Sequence, residues 1–233
     1  MASLKYPSNI TKWQIFKLSI PIFFSNLAIP LVGVVDTSLM GHLENEKFLI
    51  AVSISTTFLT IIFWSFGFLR MGTVGLISQA LGKGDYRELV YILIRNSFIA
   101  IIASFLIIIS LPLLFNILSS IFITSNETKI LIKNYVTIRV FSAPAEFSIY
   151  ILVGFFLGIQ KTFISSILII LNSILNISLS IYFVTKLDLD VKGVALGTLL
   201  ASYVTVFIFI IYTYKFIIKK FQIKPNFKKL FVL

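Results

Sequence analysis

Cysteine is absent from the 233 residues, and histidine occurs once, at His42. Without thiols there is no disulfide framework, no thiolate metal centre and no cysteine nucleophile. A single imidazole leaves little for a histidine-based metal site. Charge is scarce as well, because Asp, Glu, Lys and Arg together make 12% of the chain, against about 25% in soluble domains. Acid is scarcest, with nine carboxylates against twenty basic residues and a net charge of +11. What fills the chain instead is apolar: 58% hydrophobic residues, 24 of them Phe, and a mean hydropathy of +1.01. No soluble core of this size has room for so much Phe, Ile and Leu, so most of the surface must be solvated by lipid. Disorder is excluded on the same grounds.

Six apolar stretches, at about 13–40, 48–70, 89–115, 130–155, 162–185 and 193–216, each reach the roughly 20 helical residues that cross ~30 Å of hydrocarbon. Short polar joints separate them. The runs are too long for barrel strands and show no apolar–polar alternation. The first outlasts a signal-peptide core, and no small-x-small cleavage site precedes the next loop. The expected fold is an all-α polytopic membrane protein, with a six-helix transmembrane lobe over residues 1–216 and a basic linker over 217–233.

Basic residues orient the bundle. On the side of the N-terminus, the 82–88 turn, the 160–161 joint and the C-terminal tail stand fourteen, including Lys12, Lys17, Arg70, Lys83, Arg87, Lys161 and Lys215. The opposite side has five: Lys47, Lys129, Lys133, Lys186 and Lys192. Both termini are expected in the cytoplasm, and the chain in the inner (plasma) membrane. The net positive charge does not point to nucleic acid. It is spread along helix ends, where it neighbours anionic headgroups.

Three ionisable residues fall inside the stretches: Asp36, Arg139 and Glu146. Each costs roughly 2.5–3.5 kcal/mol at a helix centre unless paired or hydrated, and is a functional candidate on that account. Asp36 follows Pro21, Asn26, Pro30 and Gly33 in one helix; this reads as a kinked wall of a watery cavity, the alternative being an interfacial carboxylate beside ordinary proline kinks. Arg139 and Glu146, seven residues apart, are too distant for a direct i,i+4 pair. Partners on other helices or an interfacial position are expected, with helix packing as their role. Asn172, Asn176 and Ser180 form a polar stripe that serves either as helix–helix glue or as a lining for ion and substrate. Gly154/Gly158 and Gly193/Gly197 are GxxxG pairs, expected to bring helices into close contact. Thr198, beside the latter, offers a hydroxyl. The Gly82-Lys83-Gly84-Asp85 segment lacks phosphate-loop spacing and reads as a turn.

Leu18-Ser19-Ile20-Pro21, Val35-Asp36-Thr37, Gly41-His42-Leu43 and Leu69-Arg70-Met71-Gly72-Thr73 resemble the MATE (multidrug and toxic compound extrusion) transporters. Gln79-Ala80-Leu81-Gly82, Ile138-Arg139, Ser142-Ala143-Pro144-Ala145, Gly158-Ile159-Gln160 and Val191-Lys192-Gly193-Val194-Ala195-Leu196-Gly197-Thr198 are similar to the DinF-type branch. The resemblance is collinear over the whole chain. It implies a Na⁺- or H⁺-coupled antiporter of twelve helices in two lobes, of which this chain supplies the N-terminal one. It further implies a cation site at Asp36, Asn176 and Thr198, with no other metal and no cofactor. The second aspartate of that site in relatives falls on Ser180, leaving one carboxylate.

The function expected is export of amphipathic, often cationic drug-like molecules. The expected partners are the bilayer, and either a missing second lobe that the 217–233 linker would lead to or a second copy of the chain. Two rivals stand beside it. One is a lipid-linked oligosaccharide flippase of the same superfamily, whose lumen would carry more Arg and Lys. The other is a non-transporting fragment or assembly partner. An enzyme is not expected, since no nucleophile–base pair or metal-ligand cluster is visible.

Overall fold

A computed structural model describes residues 11–43, 45–121 and 125–221. Residues 222–233 of the expected linker lie outside the described residues. Within them the chain is helical: α1 (Lys12–Gly41), α2 (Glu46–Ser65), α3 (Phe68–Gly82), α4 (Tyr86–Ile109), α5 (Leu111–Ile121), α6 (Asn126–Val140), α7 (Ala143–Gly158), α8 (Thr162–Thr185) and α9 (Asp190–Phe221). Polar joints start several helices by capping orphan N–H groups. The Asn45 side chain accepts from Lys47 N, Asp85 from Arg87 N and Glu88 N, and Ser125 from Thr128 N. The turn at 82–85 is present, with Gly84 at φ +73°, a left-handed conformation that suits glycine.

Five segments are long and apolar enough to cross a membrane: Ser19–Gly41, Glu46–Gly82, Tyr86–Ile109, Thr162–Thr185 and Asp190–Lys219. The pair α6 and α7, bent by 48° where they meet, makes a sixth if taken as one span. These segments correct the sequence reading at Arg70. The second apolar stretch was expected to end there, yet the Glu46–Gly82 segment continues through α3 for another twelve residues. Arg70 is therefore inside a span and drops out of the positive-inside count, which becomes thirteen to five. The hydroxyls and glycines of α3 (Gly72, Thr73, Gly75, Ser78) had masked the helix.

The helix α7 forms the centre, with eleven of its 16 residues buried. It lies against α3, α4 and α8, while α8 is sandwiched between α1 and α9, and α2 packs along α6. Close approach comes from the GxxxG pairs. A Cβ on Gly154 would lie 2.8 Å from Arg70 O, and one on Gly158 would lie 2.6 Å from Ile77 Cγ2. On α9, a Cβ at Gly197 would lie 2.6 Å from Ser180 Oγ and 2.7 Å from Ser180 N. Both small faces are thus spent inside the lobe.

Two neighbouring spans are interrupted side by side. The α2–α3 span breaks at Phe66-Gly67, and the α6–α7 span at Phe141-Ser142. Since α2 follows α6 and α3 follows α7, the breaks are adjacent, and the Phe66 ring stacks on Phe147 at 4.7 Å. By contrast α1 is one helix from end to end despite Pro21 and Pro30.

Candidate functional site

The inner face of α1 meets α8 around two cavities that share the Arg70, Val153 and Ile169 side chains as a common wall. The distal cavity, about 320 Å³, lies toward the C-terminal end of α1. The proximal one, about 350 Å³, lies toward its N-terminal end. On α1 the lining runs Ile22, Ser25, Asn26, Ile29, Val32, Gly33 and Asp36, the i, i+3, i+4, i+7 stripe of one helical face.

Asp36, Asn172, Asn176 and Thr198 all line the distal cavity. Three helices converge to place them: α1 supplies the carboxylate, α8 the two amides and α9 the hydroxyl. Asp36 is 6% exposed and Asn176 3%. Asp36 Oδ1 and Asn172 Oδ1 are buried with no hydrogen-bond partner, whereas Thr198 Oγ1 donates to Val194 O at 3.1 Å. Ser180 is fully buried behind this wall, where its hydroxyl donates to Asn176 Oδ1 at 3.3 Å. It supports the site without lining the cavity. Asn26 lines the proximal cavity, while Pro21 and Pro30 line neither.

Two unpartnered buried oxygens inside a lipid-embedded bundle are costly, because nothing repays the lost hydration. A proton on Asp36, or a hard cation with its preference for oxygen ligands, supplies what is missing. Among the described residues no group of three or more His, Cys, Asp or Glu is assembled.

Arg139 and Glu146 pair with each other, contrary to the sequence expectation of separate partners. Arg139 Nη2 meets Glu146 Oε1 at 3.1 Å, both side chains 15% exposed. The two long side chains meet across the break at Phe141-Ser142, just ahead of Pro144 in the first turn of α7. Arg95 and Glu88, also seven residues apart, pair at 3.1 Å along the unbroken α4. Arg139 also donates to Ser142 Oγ and lies 5.3 Å over the Phe63 ring. Ser202 Oγ donates to Glu146 Oε1 at 3.2 Å, and Tyr203 OH donates to the Phe141 carbonyl at 3.0 Å, so α9 braces the break.

Sequence reasoning missed several residues of the distal wall: Thr56, Thr60, Tyr135 and Arg70. Thr56 Oγ1 donates to Tyr135 OH at 3.0 Å, and Tyr135 is 1% exposed. A threonine or tyrosine in an apolar run carries no signal of its own. Arg70 did, once the helix around it is known to continue.

The family model for MatE matches residues 21–182. Over 194 residues the chain is 34% identical to DNA damage-inducible protein F of Escherichia coli (strain K12), covering 83% of this chain and 42% of that one. It is 28% identical over 195 residues to the multidrug export protein MepA of Staphylococcus haemolyticus (strain JCSC1435), covering 83% of this chain and 43% of that one. The fold matches a MATE crystal structure in complex with MaD5 at a TM-score of 0.80 and 21% identity, over 91% of this chain and 48% of the other. It also matches the outward-facing form of a multidrug resistance MATE family transporter at 0.77 and 24%, over 93% and 49%. The chain thus spans a little under half the length of the relatives it matches, and its helices correspond to one lobe of such transporters. With the family model covering most of the bundle and a relative at 34% identity, this multi-pass membrane protein belongs to the MatE family, whose members are transporters and not enzymes.

Proposed function

We propose that this chain is the N-terminal lobe of a secondary transporter that exports amphipathic, cationic drug-like molecules by Na⁺ or H⁺ antiport. It works in the inner (plasma) membrane with both termini in the cytoplasm, opposite a second six-helix lobe. One observation supports this reading above others: Asp36 is buried with a vacant carboxylate oxygen on the wall of a cavity that also presents Asn172, Asn176 and Thr198. That set can take up a cation and release it again. With Ser180 where the family resemblance implies a second acid, Asp36 is the one carboxylate of the distal cavity without a cationic partner, Glu146 being paired with Arg139, and one charge is neutralised per cycle.

Alternating access needs a wall that moves against this one. The small faces on α7 and α9 are already occupied within the lobe, which leaves a separate second lobe as the better opposing wall than a second copy. The test is efflux of a fluorescent cationic dye from vesicles under imposed Na⁺ or H⁺ gradients, with and without a second lobe. Asp36→Asn is expected to abolish gradient-dependent efflux while membrane insertion is unchanged. Full gradient-coupled transport by that variant would reject the assignment. Saturable, Asp36-dependent efflux by residues 1–233 alone would replace the two-lobe assembly with a homodimer.

A further inference from the structure

Four charged side chains line the two cavities, and three have clear roles. Asp36 holds the vacant oxygen, and Arg139 and Glu146 neutralise each other. The fourth, Arg70, belongs to both cavities and makes no hydrogen bond or ion pair with any described residue. Snorkelling does not explain it. Twelve helical residues separate it from Gly82 at the end of α3, about 18 Å of rise at 1.5 Å per residue, beyond the reach of an arginine side chain toward headgroups. Its backbone is held firmly, since Arg70 O lies against α7 where a Cβ on Gly154 would come within 2.8 Å.

The proximal cavity surrounds this guanidinium with donors. Asn26, Ser165 and Ser166 line it, and Arg70 is its one charged group. Ser166 is 3% exposed, and its hydroxyl has no partner. A fixed positive charge, an unspent buried hydroxyl and an amide, with no carboxylate in the lining, form a donor set awaiting an acceptor. The distal cavity has the opposite complement, with Asp36 and Asn172 oxygens awaiting a donor or cation.

We propose that the proximal cavity receives the anionic group of an amphipathic solute. A carboxylate, sulfonate or phosphate sits on the Arg70 guanidinium, with the apolar body against Ile22, Val153, Leu157 and Ile169. This deepens the transport reading and rests on it: the molecules handled include zwitterionic amphiphiles, whose two charged groups match the two cavities.

Rhodamine B and its ethyl ester share one cationic ring system and differ in a free carboxylate, so they isolate the effect. Their binding to residues 1–233 is measured by fluorescence polarisation in phosphatidylcholine nanodiscs. The acid is expected to bind about tenfold more tightly than the ester, the size of one charge-assisted hydrogen bond. Arg70→Gln is expected to erase the difference. Arg70→Lys, which keeps the charge but loses the bidentate fork, is expected to retain part of it. Equal binding of acid and ester by the native chain would overturn the inference while leaving the transport reading intact. So would a preference undiminished in Arg70→Gln. The comparison on the native chain requires no variant to fold. Phosphatidylglycerol nanodiscs separate the two sources of an anion. Loss of acid binding there, with phosphatidylglycerol retained by the native chain but not by Arg70→Gln, would give the site to a lipid headgroup and overturn the solute assignment. Binding of neither dye by the native chain would overturn the inference, while the transport reading stands or falls on gradient-driven efflux with a second lobe present.

Discussion

Arg139 and Glu146, seven residues apart in sequence, meet at 3.1 Å across the break between α6 and α7. Serine and tyrosine from α9 complete the arrangement, one on the carboxylate and one on the freed carbonyl at Phe141. The pair closes a helix interruption inside the lobe and neutralises two charges on the distal wall. This leaves Asp36 and Arg70 as the uncompensated ones.

Breaking this pair on one side strands a buried charge, a change that costs about 3–5 kcal/mol in buried pairs. Glu146→Ala is expected to lower the apparent melting temperature of the purified lobe strongly. The double variant Arg139→Met, Glu146→Leu is expected to be more stable than Glu146→Ala. Fluorescence-detected size exclusion after heating checks both, since thiol-reactive dyes have nothing to label in this chain. A double variant no better than the single one would show that the charges act separately.

Glycine substitutions are expected to divide by location. Gly197→Ala drives a methyl into the Ser180 backbone, and Gly158→Ala drives one into Ile77 and the Val74 carbonyl. Overpacking of this kind costs about 1–3 kcal/mol. Gly72→Ala and Gly75→Ala meet nothing within 4 Å. They are expected to stabilise their helix by up to about 1 kcal/mol through propensity alone. The same thermal measurement reads all four. A tolerated Gly197→Ala would deny the close α8–α9 contact.

The absence of cysteine makes sidedness easy to read. Lys83 and Lys186 are both exposed, and they lie at opposite ends of the bundle. Lys83→Cys is expected to react with a membrane-impermeant maleimide only after cells are opened, and Lys186→Cys in intact cells, as the thirteen-to-five basic asymmetry requires. Labelling of both from outside would overturn the orientation.

The helical bundle was legible because each apolar run exceeds what any soluble element needs. The polar lining of the distal cavity was legible for a related reason. Asp36, Asn172 and Asn176 are polar residues that lipid does not tolerate, so they had to face protein or water. Two kinds of information were hidden. The continuation of the second span through Gly72, Thr73 and Ser78 was obscured, because those residues lower hydropathy, though Thr73 and Ser78 face α7; this hid the place of Arg70 inside the span. The break at Phe141-Ser142 was invisible to periodicity, and the Arg139–Glu146 pair was missed because long side chains reach beyond i,i+4, as Glu88 and Arg95 do on α4. Pro21 and Pro30 stand within α1 without ending it.

The paired interruptions also divide the lobe mechanically. The rods α1, α8 and α9 cross the bundle without a joint, whereas α2 with α6 and α3 with α7 are two stacked blocks meeting at the Phe66–Phe147 contact. Thr56, Thr60 and Tyr135 ride on the upper block, and Met71, Val74 and Leu157 on the lower. The distal chamber therefore has walls on both blocks, whereas the proximal one draws on the lower block alone, with Arg70 and Val153 shared between them. Arg70 and Glu146 sit one turn beyond the two breaks, so both charges are anchored beside the joint between the blocks.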